Sequence, residues 1–214
     1  MEPWITLSRR ELLAERWDLA GDEVHFPERL AEQVVRTFSG PGDRVLDPFA
    51  GSGTVPAVAT RMGRRAIGVE LVPERADYIR RRAGPDAAVI TGDARDLASL
   101  VSGPIDLCFT SPPYMTRTRH PENPLTGYAT LDGTYEGYLD EMEGVGRTIA
   151  GLLRPGGHLV VNAATTISAD GPTPLADDLA ERFGRHLTRL EDLSIAWDEL
   201  PAGLADDRCL TFRR

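Results

Sequence analysis

The feature that most constrains the fold of this chain is the alternation of short apolar segments with longer stretches of helical spacing. Seven segments are predicted to be strands: Arg44–Asp47, Ala66–Glu70, Ala87–Thr91, Asp106–Thr110, His158–Ala163, and two around Leu193–Trp197 and Arg208–Phe212. Helices are predicted between them: 54–64, Pro73–Arg82, Tyr135–Leu153 and Pro174–Leu190. This order predicts a doubly wound α/β fold with a seven-stranded, mostly parallel sheet.

Length and composition are those of a single globular domain. The chain has 214 residues, 41% of them hydrophobic, with no repeat and no long linker, so we expect one domain over residues 1–214. No apolar run approaches the roughly 20 residues that cross a bilayer. The two cysteines, Cys108 and Cys209, lie in apolar segments and are predicted to be reduced thiols. We therefore expect a cytoplasmic protein without a membrane partner.

The charge balance argues against an autonomous binder of duplex nucleic acid. The formal net charge is −9, and all 24 basic residues are arginine. Duplex binders usually present a basic face, because the release of counterions from phosphates supplies much of their affinity. Any contact with nucleic acid must therefore depend on a local site or on a partner.

A glycine-rich turn and the carboxylates that follow it predict a cofactor site. The segment Asp47–Thr54 joins a strand to a helix, and its two glycines allow the backbone to approach a ligand closely. Glu70 ends the next strand, where a carboxylate can accept hydrogen bonds from a ribose diol. Asp93 follows the third strand, near the place expected for an adenine amino group. A dinucleotide fold also uses such a strand-end carboxylate, so Glu70 alone does not identify the cofactor.

The segment Ser111-Pro112-Pro113-Tyr114 follows the fourth strand and predicts a site for an amino group. Two consecutive prolines remove two backbone N–H donors and leave carbonyl acceptors. The Ser111 side chain adds an acceptor, and the Tyr114 ring can stack on a planar substrate. Acceptors without backbone donors suit a substrate that presents N–H groups.

The glycine turn together with Ser111–Tyr114 resembles the motifs of the S-adenosylmethionine-dependent DNA amino-methyltransferases, which modify cytosine N4 or adenine N6. The segments 17–19, 25–30 and 154–157 are also similar to that family. The resemblance implies a Rossmann-like class I methyltransferase fold, with residues 1–40 as an N-terminal extension that packs on the cofactor site. It implies S-adenosylmethionine contacts from Phe26, Pro27, Asp47, Pro48, Phe49, Ala50, Gly51, Gly53, Thr54, Glu70, Leu71, Asp93 and Ala94. It implies catalytic roles for Ser111, Pro112, Pro113 and Tyr114.

The resemblance also implies a mechanism without a metal ion. The lone pair of an exocyclic amine is delocalised into its ring, which makes the amine a poor nucleophile. If the Ser111 side chain and the Pro112 carbonyl each accept one N–H, they direct the lone pair towards the sulfonium methyl group. Serine at the first position favours N4-cytosine over N6-adenine.

The chain departs from the family pattern in its means of recognising a target. The catalytic segment follows the glycine turn, whereas many relatives have the opposite order, and no separate recognition region is evident. The loop of about residues 115–134 is left for the substrate, with Tyr114, Arg117, Arg119, His120 and Tyr128 as candidate contacts. A DNA base is the expected acceptor, and a homodimer or a separate recognition subunit would supply the missing contacts. The alternatives are a small aromatic or heterocyclic metabolite, RNA or a protein amide, and a non-catalytic subunit that binds the cofactor.

Overall fold

The chain folds into alternating strands and helices, as a computed structural model describes for residues 4–15, 25–117, 122–131, 133–168 and 171–214. The helices are α1 (Arg9–Ala14), α2 (Glu28–Phe38), α3 (Thr54–Arg61), α4 (Pro73–Ala83), α5 (Leu97–Leu100), α6 (Tyr135–Leu152) and α7 (Leu175–Gly184). The strands are β1 (Ile5–Leu7), β2 (Arg44–Asp47), β3 (Arg65–Glu70), β4 (Ala88–Thr91), β5 (Ile105–Thr110), β6 (Leu153–Ala163), β7 (Thr166–Ser168), β8 (Gly171–Thr173), β9 (Thr188–Arg189), β10 (Leu193–Trp197) and β11 (Arg208–Arg213).

Nine of the eleven strands in the described residues form one sheet in the order β1-β10-β11-β6-β5-β2-β3-β4, with β9 beside β11, and β7 pairs with β8 in a separate two-stranded sheet. The strands β6, β5, β2, β3 and β4 are mutually parallel, whereas β11 is antiparallel to its neighbours. From β2 the chain moves outward through β3 to β4, and then returns to β5 on the other side of β2. The strand order therefore reverses between β2 and β5, and ligands of doubly wound folds bind at the carboxyl ends of strands at such a reversal.

The predicted fold class is confirmed, and the seven predicted strands form the continuous part of this sheet from β4 to β10. Two further strands belong to it. The edge strand β1 pairs with β10, so that Ile5 lies opposite Ile195, and the short strand β9 pairs with β11. The predicted helix Pro174–Leu190 is shorter than expected, because α7 ends at Gly184 and the chain then enters β9.

Side chains of alternate strand residues fill two cores, one on each face of the sheet. In β5, Leu107 and Phe109 pack beneath α2 and α3, while Cys108 faces the opposite core under α6 and α7. In the core under α6 and α7, Gly146 of α6 lies so near Phe183 of α7 that a Cβ atom at Gly146 would be 2.3 Å from Cδ1 of Phe183. Burial on both faces holds the central strands, and hence their carboxyl ends, in fixed positions.

The N-terminal segment joins the core through α2, which buries Leu30 and Val34. The ring of Phe26 stacks near that of Phe109, with centroids 5.0 Å apart. Residues 17–19, which resemble the family, lie outside the described residues, and the expected packing of the extension on the cofactor stays a prediction. None of the helices in the described ranges has the length and hydropathy required to cross a membrane.

Candidate active site

The sequence-predicted motifs meet around one cavity of about 500 Å³ at the carboxyl ends of β2, β3, β4 and β5. Its walls contain twelve of the predicted site residues: Pro48, Phe49, Gly51, Glu70, Leu71, Asp93, Ala94, Ser111, Pro112, Pro113, Tyr114 and Tyr128. Seven residues that were not predicted complete it: Val69, Val72, Arg75, Gly92, Pro124, Leu125 and Gly127. The predicted cofactor motifs and the predicted catalytic segment therefore share one binding space.

The glycine-rich turn has a backbone conformation that requires glycine. Gly51 and Gly53 have φ values of 51° and 77°, in the left-handed region that other residues rarely adopt. At Gly53 a Cβ atom would also lie 2.9 Å from Cγ2 of Ile79 on α4. Larger residues at this position would therefore both strain the turn and displace α4.

The carboxylate of Glu70 is built into this turn. Its Oε2 accepts a hydrogen bond from the Gly51 N–H at 2.9 Å, and its Oε1 accepts one from the Val72 N–H at 2.9 Å. The residue is 6% exposed and lines the cavity. These two hydrogen bonds hold the Glu70 carboxylate at the cavity wall, where a carboxylate can accept hydrogen bonds from a ligand.

Asp47 supports the turn from below and connects β2 to β5. Its Oδ1 accepts hydrogen bonds from the Thr110 hydroxyl at 2.7 Å and from the Phe49 N–H at 3.1 Å. Burial raises the pKa of this carboxyl group to about 7, although both hydrogen bonds oppose the shift and the charge of Glu70 adds to it. Asp47 does not belong to the cavity lining, so its place is that of a support for the residues that do.

Asp93 is occupied by a neighbouring arginine. The guanidinium of Arg95 donates to both carboxylate oxygens, with Nη2 2.6 Å from Oδ2, and also pairs with Glu141 on α6. Burial opposes ionisation of Asp93, but these hydrogen bonds outweigh it and lower its pKa. The predicted contact of Asp93 with an adenine amino group would thus have to share an acceptor that Arg95 already uses.

The Ser111–Tyr114 segment, which follows β5, also lines the cavity. The side chains of Ser111 and Tyr114 are hydrogen-bonded to each other, and burial raises the pKa of the Tyr114 hydroxyl, with a further contribution from the charge of Asp207. The phenol is therefore neutral at ordinary pH. Ser111 and Tyr114 form one polar unit beside the Pro112 carbonyl, at the rim of the sheet.

Residues 122–131 of the predicted substrate loop cover the cavity on one side, where Pro124, Leu125, Gly127 and Tyr128 line it. Asn123, which is 9% exposed, organises the loop: its side-chain oxygen accepts from the Leu125 N–H, and its carbonyl accepts from the Thr126 and Tyr128 N–H groups. Tyr128 lies on the rim with φ at 63°, a strained conformation for a tyrosine. Sequence reasoning missed Asn123, although an asparagine before proline is a common signal for such a turn.

Arg117 does not reach the cavity. Its guanidinium donates to Asp178 on α7 at 2.8 Å and lies 5.4 Å from the centroid of the Tyr135 ring. The Tyr135 hydroxyl donates to the same carboxylate at 2.7 Å. The arginine thus attaches the end of the catalytic segment to α6 and α7.

Five more predicted residues are absent from the described cavity lining: Phe26, Pro27, Ala50, Gly53 and Thr54. Ala50, Gly53 and Thr54 lie in the turn itself, whereas Phe26 packs in the core against Phe109. Arg119 and His120 lie outside the described residues. Within the described ranges no three His, Cys, Asp or Glu side chains are grouped as metal ligands.

Comparison with known proteins gives matches of two kinds. The sequence profile of the DNA methylase family matches residues 14–81, which include the glycine turn and Glu70. A 4-amino-L-phenylalanine/4-methylamino-L-phenylalanine methyltransferase from Streptomyces pristinaespiralis is 39% identical over 171 residues, which make up 70% of this chain and 56% of that protein. The Type II methyltransferase M2.DpnII from Streptococcus pneumoniae is 45% identical over 56 residues, 26% of this chain and 21% of that enzyme.

These matches cover only part of the relatives: the chain spans little more than half of the first protein and about a fifth of the second. Among solved structures, TrmN from Thermus thermophilus superimposes with a TM-score of 0.67 at 21% identity, over 91% of this chain and 51% of that one. At this identity the likeness describes the fold alone.

Proposed function

We propose that the chain is an S-adenosylmethionine-dependent amino-methyltransferase and that it transfers a methyl group to an amino group carried by a planar ring. One observation carries the proposal: the glycine turn with Glu70 and the Ser111–Tyr114 segment lie on the walls of the same cavity of about 500 Å³. A nucleoside cofactor and a planar amine can therefore be held next to each other.

The donors and acceptors of the glycine-turn end fit S-adenosylmethionine. Glu70 is held at the cavity wall by two backbone N–H groups, and a carboxylate in this place suits a ribose diol. Apolar side chains of Leu71 and Val72 lie beside it and suit a purine ring. When bound, this cofactor supplies an electrophilic methyl group on a positively charged sulfur.

The Ser111–Tyr114 end fits the amine. The Pro112 carbonyl and the Ser111 hydroxyl are acceptors for its two N–H groups, and Tyr114, which is hydrogen-bonded to Ser111, fixes the orientation of that hydroxyl. Fixed acceptors of this kind stabilise the positive charge that develops on nitrogen during transfer, without reorganisation at the moment of reaction. The ring of Tyr114 provides a face for the planar substrate.

For the acceptor, the geometry favours a small aromatic or heteroaromatic amine. Pro124, Leu125 and Tyr128 cover one side of the cavity, which suits a compact ligand better than a duplex. Arg117, the described cation nearest in sequence to the catalytic segment, is already paired with Asp178 and lies over the Tyr135 ring, which makes it less available to phosphates. The relative matched over 70% of the chain is named for an aromatic amino acid with a ring amine.

A base in DNA is the second candidate, supported by the DNA methylase profile over residues 14–81. With a net charge of −9, the chain would need a partner subunit or a second copy to hold a duplex. Such a partner would also have to offset the few kcal/mol required to flip a base. The free, buried Cys108 and Cys209 agree with a cytoplasmic location for either reaction.

The test is methyl transfer from labelled S-adenosylmethionine. The purified protein is incubated separately with para-amino aromatic compounds, heteroaromatic amines, duplex DNA and RNA, and the fraction that acquires label is measured. We expect label in an aromatic amine. Label in duplex DNA that is lost as salt rises would establish the second candidate instead. Absence of cofactor binding by calorimetry would overturn both.

A further inference from the structure

Arg82, the last arginine of α4, reaches the glycine turn that the proposed function assigns to the cofactor. Its Nη1 donates to the carbonyl oxygen of Ser52 at 2.9 Å and lies 3.4 Å from the Thr54 hydroxyl. The side chain is only 18% exposed. An arginine in the last turn of a helix usually has its guanidinium in solvent, where its charge interacts favourably with the helix dipole. The burial of Arg82 against the turn needs another explanation.

The contact fixes one peptide group in an otherwise adaptable turn. The peptide that joins Ser52 to Gly53 has its carbonyl held by Arg82, and its N–H donates to the Ala50 carbonyl at 2.6 Å. The glycines on either side of Ser52 both have positive φ values. Glycine tolerates several conformations, so the contact with Arg82 adds to this internal hydrogen bond in fixing the orientation of the peptide.

The other nitrogen of Arg82 ties the turn to the N-terminal segment. Nη2 donates to Oε1 of Glu28 at 2.7 Å, at the first residue of α2, and Arg61 of α3 donates to the other carboxylate oxygen at 2.7 Å. Burial opposes ionisation of Glu28, but the hydrogen bonds from Arg82 and Arg61 outweigh it and lower its pKa. Three helices thus meet at one charged group beside the turn.

We propose that Arg82 is a positioning residue for the cofactor: it holds the Ser52–Gly53 peptide in the orientation that the turn needs to bind S-adenosylmethionine. The inference rests on the proposed function, because it assigns the turn to that ligand. The orientation matters because Gly51, in the same turn, donates its N–H to Glu70. A rotated peptide would move Gly51 and with it the carboxylate that faces the ligand.

The test compares Arg82→Gln with Arg81→Gln, which removes an exposed arginine from the adjacent position. The dissociation constant of S-adenosylhomocysteine is measured by calorimetry, together with KM for S-adenosylmethionine, kcat and thermal unfolding. We expect Arg82→Gln to weaken binding about tenfold and to raise KM similarly, with kcat at saturation changed much less. Arg81→Gln should bind like the wild type.

Two further variants separate positioning from a merely structural role. Arg82→Lys keeps a donor that can reach Ser52 or Glu28 but not both, and we expect intermediate affinity. Glu28→Gln should weaken binding less than Arg82→Gln. The double variant should lose less binding free energy than the sum of the losses in the two single variants. If Arg82→Gln does not fold, Arg82→Lys and Glu28→Gln still test the inference.

The outcomes are distinct. If Arg82→Gln, or Arg82→Lys in its place, lowers the unfolding temperature but binds S-adenosylhomocysteine like the wild type, the inference is wrong while the proposed function stands. If the wild-type protein does not bind S-adenosylhomocysteine, the proposed function itself fails.

Discussion

The Gly51 N–H lies 2.9 Å from the Glu70 carboxylate, so the glycine turn after β2 and the acidic end of β3 form a single unit. The two residues are brought together by the parallel pairing of β2 with β3, in which Asp47 lies opposite Gly68. A ligand held by Glu70 is consequently held at a fixed distance from the turn.

Replacing Glu70 with glutamine should weaken cofactor binding. The amide would place N–H donors against one of the two backbone N–H groups, Gly51 or Val72, and would remove the charge that favours a ribose diol. We expect the binding free energy of S-adenosylhomocysteine to fall by about 1–3 kcal/mol, measured by calorimetry. The control is Glu74→Gln, which changes an exposed carboxylate in the first turn of α4. Equal affinity of Glu70→Gln and the wild type would contradict the role given to Glu70.

Changes in the Ser111–Tyr114 segment should slow turnover and spare cofactor binding. Ser111→Ala removes one proposed acceptor for the amine, and Tyr114→Phe removes the hydroxyl that is paired with it. We expect kcat to fall on the order of 10² for Ser111→Ala, as for the loss of one preorganised hydrogen bond, and less for Tyr114→Phe. S-adenosylhomocysteine should still bind with wild-type affinity. An equal loss of cofactor affinity would show that Ser111 contacts the cofactor instead of the amine. Ser102→Ala, which replaces an exposed serine, is the control.

The sequence was sufficient to predict the shared edge of the sheet, because each motif directly follows a strand and the parallel strands end together. The pattern that indicates a strand is visible within ten residues of sequence. The end of each strand, and the carboxylate that lies there, can therefore be identified from the sequence alone. The family resemblance, which the DNA methylase profile matches over residues 14–81, predicts the class of reaction.

What sequence reasoning could not predict were partners that are distant along the chain. Arg117 was expected to face a substrate, yet its guanidinium pairs with Asp178, which is 61 residues away. Asp93 was expected to be available to adenine, but Arg95 occupies it, and the distant partner here is Glu141 of α6, which lies 46 residues from Arg95 and pairs with it. A pattern identifies residue types suited to a chemistry, whereas the tertiary packing decides which of those side chains are already paired.

Replacing Tyr128 should make the protein more stable and weaken the binding of the methyl acceptor. Its φ of 63° costs a tyrosine roughly 1 kcal/mol, whereas asparagine tolerates this conformation. Tyr128→Asn should therefore raise the free energy of unfolding by about 1 kcal/mol, by chemical denaturation. It should also raise the acceptor KM severalfold, since an aromatic face is lost from the cavity rim.

Leu131→Asn is the matched control for Tyr128→Asn. Leu131 is 71% exposed in the same segment, and its replacement should change neither quantity appreciably. A Tyr128→Asn protein with higher stability and an unaltered acceptor KM would mean that the strained residue has no part in substrate binding.

The buried carboxyl group of Asp47 makes the stability of the protein depend on pH. Burial raises its pKa from 3.8 to about 7, with a smaller contribution from the charge of Glu70, and the nearby thiol of Cys108 has its own pKa raised by the same surroundings. Because the folded state retains this proton more strongly than the unfolded state, the stabilising contribution is fully present below about pH 4. It is lost progressively as the pH rises towards 7 and beyond.

Asp47→Asn removes this titration and keeps an oxygen that can accept from the Thr110 hydroxyl and the Phe49 N–H. Relative to the wild type, the variant should therefore become more stable as the pH is raised from 4 to 8, by at most roughly 4 kcal/mol for a shift of about three pH units. The measurement is the free energy of unfolding by urea at each pH, with the exposed Asp86→Asn as the control. A difference between Asp47→Asn and the wild type that is constant from pH 4 to 8 would mean that Asp47 ionises with an ordinary pKa in the folded protein.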